Sequence, residues 1–79
     1  MIKINLSRMM GEKRLKIADV ARDTGLNRGT LTRIYYETAE RLDVEVLDKL
    51  CNYLGCSIAE LLEHVPDVSP NSETKNNSV

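Results

Sequence analysis

The segment over residues 17–36, IADVARDTGLNRGTLTRIYY, constrains the fold more than any other part of the chain. Its apolar residues follow the i, i+3, i+4, i+7 spacing up to Thr24 and repeat a similar pattern from Leu31, with Gly25 between the two runs. This spacing lines one face of a helix, and glycine commonly ends one. Asn27 is a favourable N-cap for the second run. The sequence therefore predicts two short helices joined by a tight turn.

The second of these helices, predicted over residues 28–36, has two different faces. Leu31, Ile34 and Tyr35 fall on one side, because a helix turns by about 100° per residue. The residues on the other side are small, basic or able to form hydrogen bonds: Arg28, Gly29, Thr32, Arg33 and Tyr36. Such a face suits the edge of a base pair better than a protein core.

The length and composition of the chain favour one small helical domain. Seventy-nine residues leave little room for a deep catalytic cleft. Phe and Trp are absent, so the core must come mainly from Leu, Ile, Val and Met, which favours packed helices over a sheet. The apolar periodicity ends before Pro66, and the rest is rich in Ser, Asn and charge. We therefore expect an all-α domain over residues 1–65 and a disordered polar tail over residues 66–79.

Charge is distributed unevenly along the chain. Residues 1–41 contain nine Lys or Arg against five Asp or Glu, whereas residues 42–79 contain two against seven, for a net charge of −1. A nearly neutral total gives little non-specific attraction to a polyanion. Any nucleic-acid binding must therefore rest on specific contacts or on dimerisation.

The remaining apolar periodicity predicts three further helices: one from near Asn5, one between Asp43 and Gly55, and one over Ser57–Val65. Ser57 and Glu60 have the spacing of a capping box, which would begin the last helix. Residues 1–4 alternate in hydropathy, as is typical of an extended segment, and residues 37–42 lack periodicity and are predicted to form a loop. The prediction is thus a five-helix domain.

This arrangement resembles the lambda-repressor-like helix-turn-helix domains of the Cro/CI or XRE family. The resemblance covers about residues 5–65 and is carried by Val20-Ala21, Gly25, Leu31, Ile34, Leu47, Leu54-Gly55 and Leu61-Leu62. In that family the third helix enters the major groove of DNA. The resemblance therefore implies double-stranded DNA as the partner and indicates no cofactor.

Carried over position by position, the resemblance assigns base reading to four residues: Arg28, Gly29, Thr32 and Arg33. The chemistry agrees, because Arg can donate two parallel hydrogen bonds to guanine and a Thr methyl can pack on the methyl of thymine. The chain departs from the family at Ile17, where Gln is usual. It departs again at residues 35–37, where Tyr-Tyr-Glu stands in place of the frequent Glu-x-Gly.

Phosphate contacts fix the register of a protein on DNA, and cations, hydroxyls and helix N-termini make them. The candidates here are Lys16, Asn27, Thr30, Tyr36 and Arg41. The alternatives are that the cations are solvated surface charges and that the Tyr36 ring covers the core.

The sequence offers little for catalysis or metal binding. Cys51, Cys56 and His64 are fewer than the four ligands of a structural zinc site, and no Ser-His-acid arrangement is suggested. We expect reduced, largely buried thiols, no bound metal and no enzymatic activity. No apolar run is long enough to span a membrane and no signal peptide is recognisable, so the expected location is cytoplasmic.

These features predict a DNA-binding transcriptional regulator, acting as a repressor by occluding a promoter. Because one module reads few base pairs, we expect a homodimer with recognition helices about 34 Å apart. By the resemblance, the last helix over Ser57–Val65 is the expected dimer surface, with Met1–Ile4 as an alternative, and no small-molecule effector is indicated. The competing hypothesis is a helix-turn-helix adaptor or antitoxin component that binds a protein through its acidic half or tail and binds DNA weakly.

Overall fold

The computed structural model describes residues 1–66 and contains five helices and one small sheet. In chain order the elements are β1 (Ile2–Ile4), α1 (Leu6–Glu12), α2 (Ile17–Thr24), α3 (Arg28–Tyr35), α4 (Val44–Leu54), α5 (Ile58–Leu61) and β2 (Leu62–His64). The five-helix prediction is confirmed, as are the extended start and the loop that follows α3. The tail predicted over residues 66–79 lies, except for Pro66, outside the described residues.

The last helix is much shorter than the predicted helix over Ser57–Val65. Its side-chain cap is present, with Ser57 and Glu60 each accepting a hydrogen bond from the other's backbone N–H, but α5 ends at Leu61. Residues 62–64 instead form β2, which pairs antiparallel with β1. Leu61 and Leu62 continue the helical spacing locally, and the pairing with β1 overrides it. The periodicity of a short segment cannot reveal that a strand at the other end of the chain will pair with it.

Asn5 holds this junction together from the start of the chain. Its side chain is 8% exposed, its backbone N–H donates to Leu61 O at 2.8 Å, and its Nδ2 donates to Glu60 O at 3.1 Å. These bonds satisfy carbonyls that the short helix α5 leaves without a helical partner. The first and last described segments are therefore fixed to each other.

A single apolar core lies between the helices. Its members come from every element except β2. The side chains that are almost completely excluded from solvent are Leu6, Met10, Val20, Leu31, Ile34, Leu50 and Leu61. Because α2 and α3 each contribute to this cluster, the angle between them is set by burial of their apolar faces.

The turn between α2 and α3 is fixed by short-range hydrogen bonds. Gly25 adopts a φ of 76°, a conformation that side chains disfavour, and its N–H donates to Ala21 O at 2.9 Å. The Thr24 hydroxyl donates to Val20 O and accepts from Leu26 N at 3.2 Å. Asn27 Oδ1 accepts from Thr30 N at 3.0 Å, which confirms the predicted N-cap of α3. The predicted helix-turn-helix is present.

The fourth helix begins and ends where the sequence indicates. Asp43 occupies the N-cap position, although its side chain makes no capping hydrogen bond, and Gly55 ends the helix at a φ of 67°. Within residues 1–66, no helix is long and apolar enough to cross a membrane.

Candidate nucleic-acid interface

The exposed face of α3 is the central feature of the candidate site. Leu31 and Ile34 are each 1% exposed, and Tyr35 is half-buried. The residues predicted to face outward are all exposed: Arg28, Gly29, Thr32, Arg33 and Tyr36. The two-faced character predicted for this helix is confirmed. We call the outward set, without Tyr36, the α3 face.

Two side chains of the α3 face are positioned by hydrogen bonds to the helix itself. The Thr32 hydroxyl donates to Arg28 O at 2.8 Å. This bond uses the hydroxyl hydrogen, so the oxygen is left as an acceptor and the rotamer of the methyl group is fixed. Arg33 Nη2 lies 3.4 Å from Thr30 Oγ1, which accepts from it. The guanidinium retains its other N–H donors for a ligand.

Gly29 leaves space that two of its neighbours use. A Cβ at this position would lie 3.0 Å from Asn27 Oδ1 and 3.6 Å from Arg33 Nη1. A side chain here would therefore press on the N-cap of α3, whereas its Cβ would make ordinary van der Waals contact with the guanidinium of Arg33. The absence of a side chain leaves the Asn27 cap undisturbed.

A cleft of about 350 Å³ separates the start of α2 from α3, and three predicted site residues border it: Lys16, Arg28 and Tyr36. The side chain of Tyr36 is 65% exposed, and its ring packs edge-on against Tyr35 with centroids 4.9 Å apart. The alternative, in which the Tyr36 ring covers the core, does not fit this exposure. Its hydroxyl is free to reach a ligand in this cleft.

A second cleft, of about 250 Å³, lies on the other side of α3, against the loop before α4. Thr30, Arg33 and Arg41 line it, together with the carboxylates of Glu40 and Asp43. The two clefts therefore flank the α3 face, each with predicted cations at its edge. With Asn27 at the helix start, all nine residues predicted for the site lie on α3 or beside it.

The cations of this region are free of salt bridges. Among the described residues, Lys16, Arg28, Arg33 and Arg41 form none, and the same holds for Lys3, Lys13 and Arg14 elsewhere on the surface. Arg8, by contrast, pairs with Glu12, Arg22 with Asp19 and Asp23, and Lys49 with Glu45. An unpaired guanidinium can bind a phosphate or a base without first breaking an internal ion pair.

The paired arginine of α2 belongs to a small hydrogen-bonded cluster. Tyr53 Oη donates to Asp23 Oδ2 at 2.6 Å, and Arg22 Nε donates to Asp23 Oδ1 at 3.1 Å. The Tyr53 hydroxyl, followed by the Arg22 guanidinium, lowers the pKa of Asp23. The Asp23 carboxylate in turn raises the pKa of Arg22 and of Tyr53. The side chains of Arg22, Asp23 and Tyr53 therefore use their charges and hydrogen-bonding groups on one another.

Two positioning residues were not predicted from the sequence. Asp19 Oδ2 accepts from Lys16 N at 2.9 Å and caps the start of α2, where the Lys16 side chain cannot accept a bond. An acid three residues after the helix start is the signal that indicates it. Glu37, at a φ of 59°, accepts from Ile4 N at 3.0 Å and joins β1 to the end of α3. No local pattern indicates this long-range contact.

Two other sequence expectations concern groups away from α3. Ile17, which stands where Gln is usual in the resembling family, packs its side chain against the core and borders the first cleft. Cys51 and Cys56 are free thiols that lie partly buried against the core, in agreement with the expectation of reduced, largely buried thiols. Within residues 1–66 no group of three or more His, Cys, Asp or Glu is placed to hold a metal ion.

The fold and the α3 face define a helix-turn-helix DNA-binding domain. The sequence of residues 5–67 matches the Cro/C1-type HTH DNA-binding domain family, and since this match covers most of the chain, the protein belongs to that family. The search of curated proteins gave no match. The resemblance inferred from the sequence is confirmed, and the domain is of a DNA-binding, typically non-enzymatic kind.

Proposed function

We propose that the protein is a transcriptional regulator that reads an operator by docking α3 in the major groove. The α3 face supports this proposal, because it presents two unpaired arginines on a helix held at its N-terminus by Asn27. Arg28 and Arg33 read guanine by paired hydrogen bonds, and the fixed methyl of Thr32 packs on thymine. Gly29 contributes room for the Asn27 cap rather than a contact of its own.

The two clefts supply the phosphate contacts in this proposal. Lys16 and Tyr36 hold the backbone on one side of α3, and Thr30 and Arg41 hold it on the other. Asn27 donates its amide N–H groups at the helix start, since its oxygen already caps the helix. Contacts on both sides of the recognition helix fix its depth and register in the groove.

The regulator acts as a homodimer and as a repressor that occludes a promoter. One α3 reads only a few base pairs, so two copies on a palindrome supply the specificity that one lacks. The two dimer surfaces considered from the sequence belong to one unit here, β1, β2 and α5, on which Ile2 and Ile58 are 55% and 50% exposed. We assign the dimer contact to this unit and the protein to the cytoplasm, where it meets DNA.

Selection from random duplex DNA tests the DNA-reading proposal. We expect enrichment of a guanine-containing motif in two half-sites, and an affinity that falls steeply as salt rises and counterions are displaced. Arg8→Ala is the matched control for changes in the α3 face, because Arg8 is an exposed arginine on α1 paired with Glu12. No enriched motif, or an affinity independent of salt, would favour the adaptor or antitoxin hypothesis instead.

The dimer is tested separately by sedimentation equilibrium of the free protein and of its DNA complex. We expect two copies on one palindromic duplex, and weaker pairing after Ile58→Asp, which places a charge on the assigned surface. A single copy bound at full affinity to a half-site duplex would contradict the dimer without contradicting the reading by α3.

A further inference from the structure

The end of α4 brings the two cysteines of the chain together. Gly55 adopts a φ of 67°, and both its N–H and that of Cys56 donate to Cys51 O, the latter at 3.1 Å. The bond from Cys56 to Cys51 is the 6→1 bond of a Schellman motif. In this motif the side chains at the two ends of the turn commonly contact each other. Here those two positions are both cysteine.

The two cysteines interact through their side chains as well as through their backbones. Burial, followed by the charge of Cys51 and a hydrogen bond with it, raises the pKa of Cys56. Neither residue belongs to the fully buried core, since both are only partly buried against it. Cys56 also borders a cleft of about 420 Å³ between α1 and the start of α5, which small molecules can enter.

We propose that Cys51 and Cys56 are a reversible modification site, at which hydrogen peroxide oxidises the two thiols to an intramolecular disulfide. The residues lie on one turn closed by the hydrogen bond from Cys56 N to Cys51 O, and a disulfide requires the two backbones to approach closely in this way. The DNA-reading function does not use them, because neither borders the α3 face or its two clefts. The proposal therefore stands or falls independently of DNA binding.

The reaction proceeds in two balanced steps. One sulfur, as thiolate, attacks a peroxide oxygen; the O–O bond breaks, and a sulfenic acid and hydroxide form, the hydroxide taking up the released proton as water. The other sulfur then attacks the sulfenic sulfur, the S–S bond forms, the S–O bond breaks, and a second water leaves with the thiol proton. Two thiols are oxidised and one hydrogen peroxide is reduced to two waters.

The test is intact-mass spectrometry of the full chain after removal of reductant and treatment with hydrogen peroxide. We expect a monomer that has lost the mass of two hydrogen atoms, no longer reacts with maleimide, and recovers both thiols with dithiothreitol. Cys51→Ser and Cys56→Ser should each gain oxygen at the remaining thiol and lose no hydrogen. The wild-type result does not depend on how well these variants fold.

Three results would overturn the proposal: oxygen addition to the wild-type thiols without loss of two hydrogens, disulfide-linked dimers as the main product, or thiols that survive peroxide unchanged. The first and third would mean that the two sulfurs do not reach each other or the oxidant. The second would mean that the turn holds them for another chain rather than for each other.

Discussion

The end of α2 and the α3 face both carry exposed arginines, and they differ in what those arginines contact. At the end of α2, Arg22 is bound by Asp19 and Asp23, and Tyr53 completes the cluster. On α3, the Arg33 guanidinium forms no salt bridge within residues 1–66 and donates a hydrogen bond to the hydroxyl of Thr30. An arginine is thus neutralised on the surface formed by Asp19, Arg22, Asp23 and Tyr53, which we call the paired surface, and is available on the α3 face.

This difference shows why residue type alone does not locate a nucleic-acid interface. Exposed ion pairs contribute little to stability, but they do occupy the donors that a phosphate or base would need. The α3 face combines exposure, unpaired cations and a rigid helix. If pairing and placement separate the two surfaces, substitutions on them should differ in their effect on DNA binding. Substitutions in the core that supports both surfaces should have the largest effect of all.

The largest effect is expected from Leu31→Ala, on the buried side of α3. The side chain is 1% exposed, and its removal should lower the free energy of unfolding by about 2–5 kcal/mol. Thr32→Ala, next to it on the α3 face, should change that free energy by no more than about 0.5 kcal/mol. Urea unfolding measures both, and similar losses for the two variants would contradict the assigned faces of the helix.

A smaller effect is expected from Arg41→Ala, at the edge of the second cleft. If Arg41 binds a phosphate, its loss should weaken binding to all duplexes alike and reduce the salt dependence by about one unit of slope. Arg22→Ala removes the same charge from the paired surface and should leave the slope unchanged. Binding isotherms over a range of salt concentrations measure this, and equal slopes for the two variants would place Arg41 outside the interface.

The smallest effect is expected from Tyr53→Phe, in the cluster of the paired surface. Removing the hydroxyl should bring the lowered pKa of Asp23 back toward its usual value of 3.8. Because a lowered carboxyl pKa stabilises the fold above the unfolded pKa, this small stabilisation is present at neutral pH. It is lost as the pH falls through the lowered pKa of Asp23.

The carboxyl shift of Asp23, followed by NMR from neutral to acid pH, measures this change. An unchanged Asp23 titration in Tyr53→Phe would show that the hydrogen bond does not form in solution. DNA affinity at neutral pH should not respond to this substitution, because the cluster lies off the α3 face.

The helix-turn-helix itself was predictable because its signals are local. Spacing identified the buried side of α3, Gly25 marked the turn, and Asn27 marked the cap; all three depend on residues within a few positions of one another. The outward set followed from the same periodicity. The DNA contact that each outward-facing residue makes remains a prediction.

What the sequence did not predict depends on contacts between distant segments. Strand β2 forms because β1 is available to pair with it, and the Glu37 carboxylate reaches Ile4 N across the fold. The pairing state of each arginine is equally non-local, since Tyr53 and Asp23 meet only when α4 packs on α2. Local spacing therefore located the site, and only the folded structure distinguished its cations from those of the paired surface.

The most direct test of the account compares Arg33→Ala with Arg22→Ala on the duplex that selection enriches. Both variants lose one positive charge, so the net charge of the chain changes equally. We predict that Arg33→Ala weakens binding by about 1–3 kcal/mol, or about 5- to 150-fold, and relaxes the preference at one base pair. Arg22→Ala should retain the wild-type affinity and preference. Equal affinities for the two variants would contradict the reading of DNA by α3.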